Sequence, residues 1–330
     1  KLFFKIMINI NDIFKISGPI NFKDLALKIY DFQYKNNRVY REFCNLNNKN
    51  LDNVQEILEI PFLPISFFKT HKILSSKKIE KTFFSSGTTN KISSKHFVSD
   101  LNLYEKSFLT NFEENFGDPG DYTIIGLLPN YLENKSSSLI YMVNKLIQKS
   151  NCNESGFYLE KYESLIYKLL ELENLGKKII LIGVSYALLD LIEVKKIKLK
   201  NTIIIETGGM KGKRKEMIKS ELHEILKSGF GITNIQSEYG MTELLSQAYS
   251  KKNGIFKCPK WMKIFIRDIN DANNLSSNKK TGGINIIDLA NIYSCSFIAT
   301  DDLGKMVAES KFEVLGRIDN SDIRGCNLLI

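Results

Sequence analysis

No Cys-x-x-Cys pair occurs in this chain, and its five cysteines, an odd number, stand far apart at Cys44, Cys152, Cys258, Cys295 and Cys326. Such spacing argues against a disulfide framework or a zinc site and points to a reducing cytosol. Long apolar runs are missing as well. Residues 1–10 are apolar but few, Asn9, Asn11 and Asp12 interrupt the stretch, and no small-residue cleavage site follows. Neither a signal peptide nor a membrane span is expected. No nucleic-acid reading motif accompanies the net charge of +9, whose lysines are scattered, so sequence-specific DNA binding is not expected either. Internal repeats, long linkers and the GxxxxGK[ST] phosphate loop are also absent.

What is present is an ordinary globular composition, 43% hydrophobic and 25% charged, over 330 residues. That length suits about two domains or one large α/β domain, with ample chain to bury a core. A basic surface suits anionic ligands such as a nucleotide or a carboxylate. Residues 22–43 carry Leu25, Ile29, Phe32, Tyr40 and Phe43 at helical spacing, with Asn21 as the expected cap. Pro61 and Pro64 mark an extended aromatic segment reaching Lys69, expected to pack beneath the hydroxyl-rich stretch that follows or to line an apolar tunnel.

Beyond it, residues 122–128, 178–182 and 202–206 are continuous apolar runs of strand length. Residues 136–149, 163–175, 185–193 and 215–227 have helical spacing, the second stopped by Gly176 and the last by Gly229. This alternation predicts an α/β fold whose parallel or mixed sheet is covered on both faces. After about Lys251 the long helical patterns stop. Short apolar runs at 263–266, 284–287, 297–299 and 312–315 predict a smaller β-rich subdomain, with 271–280 as a polar turn or mobile loop. The expected division is a helical and extended region at 1–80, an α/β core at 81–250, the β-rich part at 251–315 and a hinge with a short tail at 316–330.

Four loop segments carry candidate chemistry. Ser85, Ser86, Gly87, Thr88 and Thr89 follow Phe83 and Phe84 and precede Asn90 and Lys91. Their hydroxyls and backbone N–H groups, with a mobile lysine, suit the phosphate tail of a nucleotide; a solvated Ser/Thr turn has the same composition. The second segment, Glu206-Thr207-Gly208-Gly209-Met210-Lys211, follows a strand, and paired glycines there let a flat ring approach the backbone, although a plain Gly-Gly turn looks alike. In the third, from Ser237 to Leu244, Tyr239 is placed to face a base, Thr242 to bond a phosphate and Glu243 to hold Mg²⁺ on that phosphate. The competing reading is a helix N-terminus capped by Thr242, with Glu243 as dipole partner. The fourth pairs Thr300-Asp301-Asp302-Leu303-Gly304 with Leu315-Gly316-Arg317-Ile318-Asp319. An aspartate at a strand end accepts both hydroxyls of a ribose and Arg317 adds a positive fork; an Asp-rich β-turn beside a surface arginine is the alternative.

In this order the four segments resemble the adenylate-forming superfamily of acyl-CoA synthetases and adenylation domains, over the chain from about Phe83 onward. Tyr239-Gly240-Met241-Thr242-Glu243 is the most specific part. Phe84-Ser85-Ser86-Gly87-Thr88-Thr89, the following Ser94-Lys95-His96, the preceding Pro61-Phe62-Leu63-Pro64 and the final Ile323-Arg324-Gly325-Cys326-Asn327-Leu328 make the chain similar to acyl-protein synthetases of the LuxE type, with phenylacetate-CoA ligases as neighbours.

The resemblance implies the α/β large domain of these enzymes with its smaller β-rich subdomain, ATP and Mg²⁺ as cofactors, and a cytoplasmic location. It implies that a carboxylic acid, expected to be a fatty acid, becomes acyl-AMP and then passes to a protein cysteine. Ser85, Ser86, Gly87, Thr88, Thr89 and Lys91 would hold the β- and γ-phosphates. Gly208 and Gly209 would flank adenine and Tyr239 stack on it, while Thr242 meets the α-phosphate, Glu243 the metal, and Asp302 with Arg317 the ribose. Two positions depart from the pattern: Asn90 stands where a glycine is usual, which stiffens the loop, and Asp301 replaces the glycine of the usual Thr-Gly-Asp.

Full acyl-CoA synthetases continue past the Gly-Arg-x-Asp hinge into a lid that carries a catalytic lysine; here that lid is expected to be absent or vestigial. A tethered thiol would then replace CoA. Cys326, near Arg324, is the candidate nucleophile, or else a small buried hydrophobe. A partner protein such as an acyl-reductase is the other acceptor. An acyl- or aryl-CoA ligase and a non-catalytic member of the fold are the alternatives. His96 either orients the substrate carboxylate or phosphate or simply packs, whereas His71 and His223 are expected to be structural. Lys211, Lys213, Arg214 and Lys215 form a solvated helix start or a dock for an acidic partner.

Overall fold

The computed structural model describes residues 8–85, 92–128, 136–158, 161–210, 213–215, 217–269, 271, 275 and 281–318. The chain divides into two compact units: a central one, Lys77–Pro259, and one built from the chain on either side of it.

The N-terminal part of the outer unit is helical. Asn9 caps α1 (Ile10–Ile13) by accepting the Asn11 N–H at 3.0 Å. The next helix, α2 (Pro19–Asn36), starts with proline in its first turn, where a missing N–H costs little. Its inward face is Phe22, Leu25, Ala26, Ile29 and Tyr30, all buried at helical spacing. The single helix expected over 22–43 is in fact two, and Asn21 is not its cap. Asn37 breaks the helix with φ −104° and ψ 104°, and its side chain accepts the Tyr40 N–H at 3.1 Å to start α3 (Arg38–Leu46). Asn37 also donates to the Ser294 carbonyl at 3.1 Å, so a buried tertiary bond overrides a local pattern that would have run on. The proline-bracketed segment is extended at Ile60 and pairs as a strand at β1 (Leu63–Pro64), whereas its aromatic end coils into α4 (Phe67–Thr70).

The central unit opens with a hairpin, β2 (Lys81–Phe84) antiparallel to β3 (Lys95–Val98). There follow α5 (Leu101–Phe116), β4 (Thr123–Leu127), α6 (Ser138–Lys149), β5 (Gly156–Phe157), α7 (Tyr162–Asn174), β6 (Ile179–Val184), α8 (Ser185–Val194), β7 (Thr202–Thr207) and α9 (Lys219–Phe230). The unit closes with β8 (Gln236–Tyr239), β9 (Ala248–Ser250) and β10 (Ile255–Lys257). The main sheet of this unit runs β10-β9-β8-β7-β6-β4-β5. From β5 to β8 the strands are parallel; β8, β9 and β10 are antiparallel. Every residue of β4 and β6 is buried, which is why these strands appear in sequence as unbroken apolar runs. Each of their isoleucines contributes about 1.5–3 kcal/mol by leaving water. Register places Val184 opposite Thr207 and Thr207 opposite Glu238, so the C-terminal ends of β6, β7 and β8 lie side by side.

One helix differs from the expectation of 215–227 closed by Gly229. It is Gly231, at φ 64°, that ends α9 in the left-handed region favoured by glycine. Gly229 lies inside α9 against α8, where a Cβ would stand 2.6 Å from Ile192 Cδ1. The two glycines serve different needs, one a cap and one a close helix crossing.

The outer unit is completed by β11 (Met262–Arg267), β12 (Thr281–Asp288), β13 (Phe297–Ala308) and β14 (Lys311–Arg317), antiparallel in that order. These are the short apolar runs of the sequence. β1 pairs parallel with β13, Leu63 opposite Ile298, and Tyr40 stacks on Phe297 with centroids 5.9 Å apart. The polar stretch 271–280 lies almost entirely outside the described residues. Among the described residues no helix is long and apolar enough to cross a membrane.

Candidate active site

The β2–β3 hairpin is the stem of the hydroxyl loop. Phe83 anchors it in an aromatic cluster with Tyr104 and Tyr141, at centroid distances of 5.6 and 5.5 Å. At the base of the loop the Ser85 N–H donates to the Ser94 carbonyl at 3.1 Å, and the Ser94 N–H donates to Ser85 Oγ at 2.8 Å. Ser86, Gly87, Thr88, Thr89, Asn90 and Lys91 lie outside the described residues. His96, on β3, is fully buried, and its Nδ1 stands 2.7 Å from the Thr242 carbonyl oxygen. A carbonyl only accepts, so Nδ1 carries the proton. The bond ties the stem of the loop to a turn far away in sequence.

That turn leaves β8 after Tyr239. It is a non-helical turn, with the Leu244 N–H on the Met241 carbonyl at 3.2 Å, so the alternative of a helix capped by Thr242 does not hold. Glu243 is buried, 5% exposed, and Tyr239 packs on Phe256 with centroids 5.8 Å apart. Beside it, β7 delivers Gly208 and Gly209. Gly209 has φ 75°, and among the described residues nothing lies within 4 Å of where a Cβ would stand at Gly208. Without side chains, these two residues leave the backbone open to close approach.

Next to the two loops is a polar cluster in which Glu206 and Ser237, the first residues of two candidate segments, meet Ser185, Lys219 and His223, which no motif announced. Glu206 is buried and accepts from Ser185 Oγ at 2.6 Å, Lys219 Nζ at 2.8 Å and Ser237 Oγ at 3.0 Å. His223 Nε2 stands 3.1 Å from Ser237 Oγ; because that hydroxyl gives its proton to Glu206, the imidazole is the donor. Burial alone would raise the Glu206 pKa, but the charge of Lys219 and the hydrogen bonds of His223, Lys219 and Ser185 hold it well below the usual carboxylate range. The available sequence signal was a lone glutamate directly after the three isoleucines of β7.

Its neighbour Glu238 goes the other way. Burial, aided by the charge of Glu206 and opposed by a 2.5 Å hydrogen bond from Thr207 Oγ1, pushes its pKa from 4.5 up to about 7. A raised carboxylate pKa means that the folded state binds the proton more tightly. The native state therefore incurs no penalty below pH 4.5 and loses about 3 kcal/mol as pH rises through about 7. Glu238→Gln is expected to abolish that loss: urea titrations at pH 5 and pH 8 should show a falling stability in the parent chain and a flatter one in the variant.

In the outer unit, Asp302 lies within β13 opposite Arg317 of β14, with Arg317 Nε 3.7 Å from Asp302 Oδ1. The site is thus neither a strand end nor an Asp-rich turn. Pairing continues past it through a bulge at Leu303 and Gly304, and the Ile318 N–H still reaches the Asp301 carbonyl at 2.7 Å. The buried Arg267 braces this stretch by donating to the Thr300 carbonyl at 2.8 Å.

Cys326 lies outside the described residues. Burial pushes the Cys44 thiol up to about 12 and that of Cys295 higher still, so neither is a ready nucleophile. In the basic run, Arg214 does not begin a solvated helix; it pairs with Asp190 and Glu193 of α8. Among the described residues no group of three His, Cys, Asp or Glu side chains gathers as a metal cage. A single buried carboxylate beside a hydroxyl suits Mg²⁺, which keeps its waters and binds mainly through substrate phosphates.

Solved structures share this fold. A 2-hydroxyisobutyryl-CoA ligase in complex with 2-HIB-AMP and CoA superposes with a TM-score of 0.66 at 9% identity, covering 91% of this chain and 70% of that one. The O-succinylbenzoate coenzyme A synthetase MenE from Bacillus subtilis, in complex with ATP and magnesium ion, superposes with a TM-score of 0.51 at 18% identity, covering 74% and 51%. The architecture is that of the adenylate-forming ligases. The sequence is 24% identical to the long-chain-fatty-acid–luciferin-component ligase of Aliivibrio fischeri over 92% of this chain and 86% of that one, and 24% identical to its counterpart in Vibrio harveyi over 91% and 84%. The family model for acyl-protein synthetase, LuxE, matches residues 18–106 and 131–330, and the chain belongs to that family.

Proposed function

We propose that this protein uses ATP and Mg²⁺ to activate a long-chain fatty acid as an acyl-adenylate and passes the acyl group to a protein thiol. Family membership makes it an acid-activating ligase of the adenylate-forming class. The names of its relatives supply the class of acid. The observation that carries the reading is the 2.7 Å bond from His96 to the Thr242 carbonyl. It joins the stem of the loop suited to the terminal phosphates to the turn suited to the α-phosphate, two motifs that the sequence keeps 146 positions apart.

In the first step the substrate carboxylate attacks the α-phosphorus. A new P–O bond forms, the bond to the β-phosphate bridge breaks, and pyrophosphate leaves. Thr242 donates toward the α-phosphate as charge develops there, which is where a fixed donor acts most. Glu243 would hold Mg²⁺, which neutralises phosphate charge when bound. Gly208, Gly209 and Tyr239 receive the base, and Asp302 with Arg317 the ribose. His96 keeps the Thr242 turn in place. In the second step a thiolate attacks the acyl carbonyl, AMP leaves and a thioester remains. The thiol is Cys326 or a cysteine of a partner such as an acyl-reductase.

Intact-mass measurement after incubation with ATP, Mg²⁺ and mixed fatty acids tests the second step. An acyl increment that hydroxylamine removes is the expected result. No adduct, with added CoA acylated instead, would make the protein a CoA ligase.

A further inference from the structure

The polar cluster beside the glycine loop has no part in the reaction, yet it adjoins one wall assigned to the base through Glu206, two residues before Gly208, and is linked to the other through Phe256. Glu206 ends two residues before Gly208. Its carboxylate gathers Ser185 from the start of α8, Lys219 from the start of α9 and Ser237 from β8, at 2.6, 2.8 and 3.0 Å. Three neighbouring strand ends are thereby pinned to one point. Lys219 has a second contact: its ammonium lies 5.4 Å from the centroid of the Phe256 ring. Phe256 in turn packs on Tyr239 at 5.8 Å with the rings inclined at 58°. One ammonium therefore reaches the carboxylate below Gly208 and Gly209 and also the ring that braces Tyr239.

We propose that the Lys219–Glu206 ion pair is a positioning device for the base of the nucleotide, setting the gap between the Gly208–Gly209 backbone and the Tyr239 ring. This rests on the reading of those three residues as the base site. The physical case is directional. Apolar side chains could fill the same volume, but only a charged hub with several hydrogen bonds fixes the angle at which strands and helices meet, and a cation over a ring face orients that ring. Glu206 is buried and Lys219 is about a quarter exposed, so the ammonium keeps water while it offsets a carboxylate charge that the buried site would not tolerate alone.

Pyrophosphate exchange measured against ATP and against GTP tests this. Lys219→Met is expected to raise the KM for ATP about tenfold and to narrow the preference for ATP over GTP, with kcat changed less than about threefold, the scale of a lost cation–ring and ion-pair contact. Lys219→Arg should restore the KM. Because Lys219→Met strands a buried carboxylate, Glu206→Gln/Lys219→Met is measured beside it; it removes both charges and should show the same KM defect. An unchanged KM for ATP in these variants, with only a lower Tm, would overturn the proposal. So would failure of both methionine variants to fold while Lys219→Arg behaves as the parent, since the cluster would then serve folding alone. Tyr239→Ala separates the underlying reading: if it too leaves the KM for ATP unchanged, the base site itself is misplaced, whereas a defect there with none at Lys219 rejects only the ion pair.

Discussion

Glu243→Gln is expected to cut acid-dependent exchange of pyrophosphate into ATP by about 10²-fold or more, the scale of losing one key electrostatic group at a phosphoryl centre. The change keeps the shape of the side chain and removes its charge. Glu243 is 5% exposed and sits in a non-helical turn held from behind by His96 on the Thr242 carbonyl, so a glutamine can occupy the same place without moving the backbone. The deficit should therefore fall on turnover, with little change in Tm. Added Mg²⁺ should not restore it fully, because the missing ligand is a charge. Exchange at the parent rate in this variant would remove Glu243 from the mechanism.

The second large effect concerns the acyl acceptor. Cys326→Ser is expected to leave pyrophosphate exchange nearly intact and to abolish the hydroxylamine-sensitive acyl adduct. The two half-reactions need different groups: adenylation needs ATP, metal and carboxylate, and transfer needs a thiolate beside the acyl carbonyl. A serine hydroxyl is a far weaker nucleophile at neutral pH. Cys44→Ser and Cys295→Ser should keep the adduct, since burial holds both thiols in the protonated form. Cys152→Ser and Cys258→Ser should keep it as well, because neither lies in a recognised motif. Equal labelling of the parent and Cys326→Ser by radioactive fatty acid would move the acceptor to another residue.

The parts of the fold that could be read in the sequence are those in which one local cause dominates. The strands β4, β6 and β7 stand out because a parallel sheet covered on both faces leaves no polar alternation to confuse them. The helix boundaries that went astray had two causes competing. At Asn37 an apolar spacing that continues from α2 into α3 is cut by a bond to Ser294, a partner 257 positions away. At the end of α9, Gly229 read as the stop because it is the first glycine after the helical pattern, and only its packing on Ile192 and the positive φ of Gly231 move the cap two residues on.

The candidate site divides in the same way. Tyr239 to Glu243 and Ser85 to Lys91 are contiguous strings, so their composition alone suggests phosphate and metal chemistry. Pairings across the chain are invisible there. His96 and Thr242 meet over 146 positions, and Glu206 meets Ser237 over 31, through strand register that no local pattern carries. Arg214 looked like one more surface charge because Asp190 and Glu193, its partners on α8, lie 24 and 21 positions away.

Acid-dependent exchange of labelled pyrophosphate into ATP tests the central claim most directly, because it requires reversible formation of an acyl-adenylate and nothing downstream. The expected result is exchange that depends jointly on Mg²⁺ and a long-chain fatty acid and proceeds without any thiol acceptor. No exchange across a wide panel of acids, by a folded chain that binds ATP, would contradict the account and leave a nucleotide-binding protein with the shape of a ligase.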